Sequence, residues 1–326
     1  MTATKRKKKD QFWSSFSNDF EVVERPQSLL VHADCFAWLS TIPDNSLTAV
    51  VTDPPYGVKE YELAELHKLH SGGAGIWRLP PAFDGKPRAP LPRFTALNEK
   101  ERQALQEFFT EFAIHLLPKL APGAHVFLAS NSFLSQVVFS SLIAGGLEFR
   151  TEIIRLVQTL RGGDRPKLGE KEFPDVCSLP RGGYEPWGLF RKPMPNKMTV
   201  RECLAEFGTG GLRRRSDGKP FSDVLPSERT PRKERNIANH PSLKPQSLLR
   251  QIVYASLPLG TGIVADPFMG SGSTIAAAEN VGYAAVGVER YRDYFDVAVE
   301  AIPKLATVST RDPGGFTAED QLPLEL

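Results

Sequence analysis

Two short apolar runs, each ending on an Asp-Pro step, constrain this chain more than anything else in it. Leu47–Thr52 runs into Asp53-Pro54-Pro55-Tyr56-Gly57, and Gly262–Ala265 runs into Asp266-Pro267-Phe268-Met269-Gly270-Ser271-Gly272. Such runs lack polar alternation, so both faces of the strand must be buried, as in the centre of a parallel sheet. The intervening pattern agrees. Strands are expected at Leu29–Val31, Ala124–Ala129, Phe149–Gln158, Trp187–Phe190 and Tyr283–Val288. Helices are expected at Phe36–Ile42, Asn98–Leu117, Ser135–Ala144, Ser247–Ser256, Ser273–Val281 and Tyr291–Ala306. In the second of these helices Leu105, Phe108, Phe109, Phe112 and Leu116 recur at helical spacing, the mark of a core-facing stripe. The alternation predicts an α/β fold: a doubly wound, mostly parallel sheet.

Three stretches fall outside that alternation. Residues 1–20 read as a disordered basic leader, with Lys5-Arg6-Lys7-Lys8-Lys9 and no apolar run to make it a secretory signal. Residues 58–93, rich in Gly and Pro around Trp77 and Phe83, read as a loop or lid next to the first strand end. Residues 191–236 carry Arg213-Arg214-Arg215 and a second basic cluster, and read as an insertion between two halves of one domain, 21–190 and 237–306. Residues 307–326 read as a flexible tail. The formal net charge of +2 says less than this local basic density, which suits a polyanion. Cys35, Cys177 and Cys203 have neither disulfide nor zinc spacing and read as reduced thiols of a cytoplasmic protein; no metal site is expected. No run reaches the length of a membrane span.

The second strand end has the grammar of a ligand turn. Gly270 and Gly272 allow close backbone approach, and the helix opening at Ser273 offers unpaired N–H groups. The third glycine of the dinucleotide fingerprint is missing, which disfavours pyrophosphate. Asp266 and Phe268 sharpen the turn, and Glu289 stands at the end of the next strand, placed to hold ribose hydroxyls. The first strand end combines a carboxylate, a rigid Pro-Pro backbone and an aromatic ring. Together the two read as a site for a flat nitrogenous group beside a nucleoside-containing cofactor.

The pair, its order, and the intervening Asn239-His240-Pro241-Ser242-Leu243-Lys244-Pro245 resemble the S-adenosylmethionine-dependent DNA amino-methyltransferases, in the class whose catalytic motif precedes the cofactor motif. The resemblance covers most of residues 28–300. It implies a Rossmann-like methyltransferase fold with an inserted DNA-recognition region. S-adenosyl-L-methionine would be the cofactor and S-adenosyl-L-homocysteine the product. Asp266, Phe268, Gly270, Gly272, Ser273 and Glu289 would bind the cofactor, with His240 and Lys244 bordering its methionine end. Asp53, Pro54, Pro55 and Tyr56 would be catalytic. The exocyclic amine of a base is a poor nucleophile, because its lone pair is delocalised into the ring. Acceptors on both N–H bonds, Asp53 and the Pro54 carbonyl, favour a pyramidal nitrogen, while Tyr56 stacks the base.

A base in a duplex cannot reach such a site, so base flipping is implied. Trp77 and Phe83 are candidate wedges, Tyr184, Glu185 and Trp187 resemble a pocket-lining segment, and Arg213, Arg214 and Arg215 are expected near DNA. The implied partner is double-stranded DNA, with a homodimer and a cognate restriction endonuclease left open. Asp at position 53 favours adenine N6 in this family, with cytosine N4 as the alternative. Methylation of RNA or of a protein amide, and a non-catalytic DNA-binding role, also stay open.

Overall fold

The computed structural model describes residues 13–17, 19–55, 99–157, 169, 171–177, 180, 182–238 and 243–310. Among these, nine strands form one sheet in the order β1-β2-β9-β8-β3-β4-β6-β5-β7. The strands are β1 (Glu21–Glu24), β2 (Ser28–His32), β3 (Leu47–Thr52), β4 (Leu120–Ala129), β5 (Glu148–Leu156), β6 (Tyr184–Arg191), β7 (Val224–Pro226), β8 (Ile263–Asp266) and β9 (Ala284–Glu289). The central five, β2-β9-β8-β3-β4, run parallel. Strand β6 returns antiparallel to both β4 and β5, and β1 is an antiparallel edge on β2.

The helices are α1 (residues 13–17), α2 (Cys35–Thr41), α3 (Glu99–Lys119), α4 (Ser135–Ala144), α5 (Val200–Phe207), α6 (Arg232–Ile237), α7 (Gln246–Ser256), α8 (Ser273–Val281) and α9 (Arg292–Ala306). Their boundaries have local causes. Asp34 caps α2 by accepting the N–H groups of Phe36 and Ala37, and a Thr199–Glu202 capping box starts α5. Helices α1 to α4 cover one face of the sheet, around Trp38, Phe109, Phe112 and Phe190. Helices α7 to α9 cover the other, around Trp187, Ile252, Val253, Ile275 and Phe295. The sheet is thus doubly wound, as expected.

The chain leaves β8 toward β9 on one side, and β3 toward β4 on the other. That makes the β3/β8 boundary the topological switch point, where the carboxyl ends of parallel strands open a crevice. Asp53 and Asp266 stand at its two rims.

Several expectations need correction. The leader ends earlier than residue 20: Trp13 and Phe16 are buried at 2% and 3% exposure. The Phe16 carbonyl accepts the indole N–H of Trp38 at 3.0 Å. Burial of two large aromatics outweighs the basic charge before them. Strand β1 was not expected, since a half-exposed four-residue edge gives little periodic signal. The tail begins later than 307, because Val308 is buried and its carbonyl accepts Arg250 Nη2 at 2.9 Å. The insertion is welded to the domain: Gly210 donates to the Gly123 carbonyl, Arg213 to that of Ala255, and β7 extends the sheet beside β5. Among the described residues no helix is long and apolar enough to cross a membrane, and no metal-ligand cluster occurs. The Lys5–Lys9 run, the whole of the expected lid and the residues beyond 310 lie outside the described residues.

Candidate active site

Alternation along β3 sends Val51 and then Asp53 to the face covered by α7. There Asp53 meets the segment leading into α7. Lys244 Nζ lies 2.7 Å from Asp53 Oδ2 and 3.5 Å from Glu185 Oε2. Glu185 is the second residue of β6, two residues before the buried Trp187 and on the same face. The Trp187 indole N–H donates to Glu185 Oε1 at 2.9 Å, and Arg155 Nη1 donates to Glu185 Oε2 at 3.2 Å. Arg155, near the end of β5, also donates through Nε to Ser227 Oγ and through Nη2 to the Glu228 carbonyl, both at 3.0 Å. The result is an alternating row, Arg155–Glu185–Lys244–Asp53, with no net charge.

All four side chains are at most 15% exposed. A row of this kind persists only if every member keeps its partners, because an unpaired buried charge is costly. Burial pushes Glu185 up, but the Lys244 ammonium and Arg155 guanidinium outweigh it and hold the carboxyl below its ordinary range. Burial likewise pushes Lys244 down, and Asp53 and Glu185 outweigh it, so the ammonium is held above its ordinary value.

Across the switch point the electrostatics reverse. Asp266 is 3% exposed and accepts Thr52 Oγ1 at 2.7 Å and the Phe268 N–H at 3.2 Å, both on Oδ1. Burial nevertheless pushes its carboxyl up to about 7, with Asp53 adding a smaller push. Glu289, at the end of β9, accepts the Gly270 N–H at 3.0 Å and the Tyr291 N–H at 2.8 Å, one on each oxygen. Burial raises it too, against those hydrogen bonds.

The turn between β8 and α8 is left-handed at Gly270 and Gly272, with φ of 52° and 82°. A Cβ on Gly272 would meet Ile302 Cγ1 at 2.4 Å, so this glycine serves the approach of α9, where the sequence suggested approach of a ligand. Phe268 is half-buried and leans on Phe112 and Phe108, with ring centroids 5.2 and 6.1 Å away. Ser273 opens α8, and its carbonyl accepts Gln246 Nε2 at 2.9 Å. Ser273 Oγ and Gln246 Oε1 are buried with no hydrogen-bond partner among the described residues.

Two buried acids raised by desolvation, and two buried oxygens without a partner among the described residues where α7 and α8 begin, suit a cationic ligand that carries N–H and O–H donors. S-adenosylmethionine is such a molecule, and Asp266, Glu289, Ser273 and Gln246 would hold it.

Pro54 is buried and Pro55 exposed at the rim. Tyr56, Trp77, Phe83 and His240 lie outside the described residues. In the insertion, Arg213 is turned inward: Nη1 donates to the Tyr283 hydroxyl at 2.8 Å, and the guanidinium lies 4.5 Å from the Tyr254 ring centre. Its side chain is engaged as a tether of the insertion. Arg214 is exposed, and Arg215 pairs with Asp217 at 3.1 Å. Sequence reasoning singled out Asp53, Lys244, Asp266 and Glu289 but missed Arg155, Thr52 and Gln246. The signal for Arg155 was period two: it follows Ile153 on the core-facing side of its strand.

Residues 169–300 match the N6/N4 methyltransferase family model, described as DNA methylase. The chain is 34% identical over 273 residues to the type II methyltransferase M2.DpnII of Streptococcus pneumoniae, covering 83% of this chain and 87% of the relative. It is 22% identical over 287 residues to the type II methyltransferase M2.LlaDCHI of Lactococcus lactis subsp. cremoris, covering 87% and 92%. In fold it resembles the PvuII DNA methyltransferase, described as cytosine-N4-specific, with a TM-score of 0.52 at 15% identity over 90% of this chain and 89% of that one. With a relative this similar along most of both chains, the protein belongs to the S-adenosylmethionine-dependent DNA amino-methyltransferases, the adenine-N6 and cytosine-N4 family.

Proposed function

We propose that this enzyme transfers a methyl group from S-adenosylmethionine to the exocyclic N6 amine of an adenine turned out of double-stranded DNA. The observation that carries the reading is the pairing of Asp53 and Asp266 across the switch point, on adjacent strand ends joined by the Thr52 hydroxyl. One carboxylate is kept charged by a lysine, and the other is left to a cationic ligand. The cofactor, when bound, supplies an electrophilic methyl group on a sulfonium.

The chain's own residues then do three things. Asp53 accepts one N–H of the amine and the Pro54 carbonyl the other, which localises the nitrogen lone pair and points it away from both acceptors. Lys244 keeps Asp53 in its acceptor form, so the carboxylate holds an amine N–H before transfer and can take the surplus proton of the nitrogen once the N–CH₃ bond has replaced the S–CH₃ bond. Asp266, Glu289, Ser273 and Gln246 fix the cofactor on the neighbouring strand ends, so the gain comes from alignment. Tyr56 stacks the base. Turning the base out costs a few kcal/mol, and Trp77 is the candidate wedge. Arg214 and Arg215 contact the DNA backbone from the insertion, while Arg213 holds the insertion in place. The finer partners are a cognate restriction endonuclease and a second copy of the chain.

The test is incubation of the purified protein with labelled S-adenosylmethionine and DNA lacking adenine and cytosine methylation, followed by nucleoside mass spectrometry. N6-methyladenine is expected. N4-methylcytosine would overturn the base assignment, and label only on RNA or protein would overturn the substrate.

A further inference from the structure

The row of four charges extends well past the groups that touch the substrate. Asp53 is its last member, and the two at the far end, Arg155 and Glu185, stand on antiparallel strands outside both motifs. Lys244 sits between two carboxylates, 2.7 Å from Asp53 and 3.5 Å from Glu185. Its position is therefore a balance: whatever weakens the pull of Glu185 drives the ammonium onto Asp53. Glu185 in turn is fixed by the Trp187 indole and by one arm of Arg155. The other two donors of Arg155 hold Ser227 and Glu228, where the insertion leaves β7. One guanidinium thus holds both the counterion of the lysine and the end of the candidate recognition segment.

We propose that Arg155 and Glu185 are positioning residues for methyl transfer: they set how tightly Lys244 holds Asp53, and Arg155 joins that setting to the seat of the insertion. The inference rests on Asp53 being the amine acceptor, as proposed above. Neither residue touches the base or the cofactor in this scheme. Each acts through Lys244, and the two act with opposite sign. Removing the Glu185 charge leaves Lys244 with Asp53 alone, so the carboxylate is clamped and stays ionised to lower pH. Removing the Arg155 charge leaves two carboxylates for one lysine, so protonation of Asp53 sets in at higher pH. Asp266, on the next strand, also faces Asp53 and titrates near neutrality, but that contribution is common to all variants.

The experiment is a kcat and KM profile against pH for Glu185→Gln, Arg155→Met, the double variant and Arg155→Lys, with melting temperature and cofactor affinity measured on each. The acid limb of kcat should move down by about one pH unit in Glu185→Gln and up by about as much in Arg155→Met. The double variant, again balanced in charge, should return toward the parent. KM for DNA should rise in Arg155→Met and stay near the parent in Glu185→Gln, because of these two residues Arg155 is the one that also bonds the insertion. Arg155→Lys keeps the charge without the fork, so it should keep the parental limb while raising KM. It also supplies the test if Arg155→Met fails to fold.

Equal losses of kcat at every pH, with the limb fixed, would make the two residues merely structural and overturn the proposal. Parental kinetics in all variants would overturn it as well. If Asp53→Asn proves as active as the parent, it is the proposed function that fails; an inactive Asp53→Asn with unmoved limbs in the other variants sinks only the positioning role.

Discussion

The two rims of the β3/β8 crevice are built from the same material and tuned in opposite directions. Each places an aspartate at the end of a buried parallel strand. Around Asp53 the fold supplies two cations and a second carboxylate, so the charges cancel. Around Asp266 it supplies hydroxyl and backbone donors, and desolvation wins, pushing the acid up to about 7. On the proposed assignment, the acid that accepts an amine N–H has its charge secured within the protein, and the acid that receives a cationic cofactor is left short of positive charge until that cofactor arrives. The asymmetry explains how two acids can stand on adjacent strands without one neutralising the other's function.

The largest effect that would break this contrast is loss of chemistry at the first rim alone. Asp53→Asn should lower methyl transfer by about 10²–10³-fold, the cost of one aligned charged partner for the reacting group. Cofactor affinity, read by calorimetry, should stay within about twofold. If affinity falls in step with rate, the rims are one site and the contrast is wrong.

Next in size is the cost of breaking the charge row. Lys244→Met strands Asp53 and Glu185 with Arg155 as their only remaining cation in the row, and should destabilise the fold by about 3–5 kcal/mol. Chemical denaturation would read it. A loss under 1 kcal/mol would show that Lys244 is not a counterion.

The pH dependence sharpens the contrast further, because the rims should respond with opposite sign. Between 3.8 and about 7, native Asp266 holds a proton that the unfolded chain has released. Its contribution to stability is therefore full at the acid end and lost as pH rises through that window, by at most about 1.4 kcal/mol per unit. Glu185 is held below its ordinary range, so its contribution is present above the unfolded value and lost as pH falls through the native one. Asp266→Asn should flatten the first slope and Glu185→Gln the second, in melting curves from pH 4 to 8. Cofactor affinity should rise toward pH 7.5 as Asp266 ionises, and lose that rise in Asp266→Asn.

What the sequence made legible follows the same division. Both strand ends and most helix spans could be read, because buried parallel strands and amphipathic helices write their burial into local periodicity. Ser135–Ala144 and Ser273–Val281 were read to the residue. Asp53, Asp266 and Glu289 stood out from motif order; Lys244 did too, but as a neighbour of the cofactor, where the structure pairs it with Asp53 and Glu185. In the far half of the charge row Glu185 was singled out only as part of a pocket-lining segment, and Arg155 was not read at all. Arg155 lies in a strand that carries Arg150 and Glu152 as well; period two puts it on the side of Ile153, but nothing local marks which groups it meets there. Its partners are 30 and 72 residues away. Arg213 failed for a similar reason: a run of three arginines looks uniform, yet Tyr254 and Tyr283 draw in only the first.

The smallest effect, and the finest probe of the second rim, is at Glu289. Its two oxygens accept two backbone N–H groups, one from the cofactor turn at Gly270 and one from Tyr291 at the start of α9. An amide offers a single oxygen, so in Glu289→Gln one N–H must face an NH₂ group. The lost bond should cost about 1–2 kcal/mol of stability. Were Glu289 only a brace, cofactor affinity would suffer no more than the loosened turn implies, and restoring stability elsewhere would restore it. If instead the carboxylate also takes ribose hydroxyls, affinity should fall about tenfold in Glu289→Gln even when stability is recovered by a distant substitution. S-adenosylhomocysteine lacks the sulfonium charge but keeps the ribose, so it should weaken by the same factor. Weakening of S-adenosylmethionine alone would assign Glu289 to charge rather than to the sugar, and would make it a second Asp266.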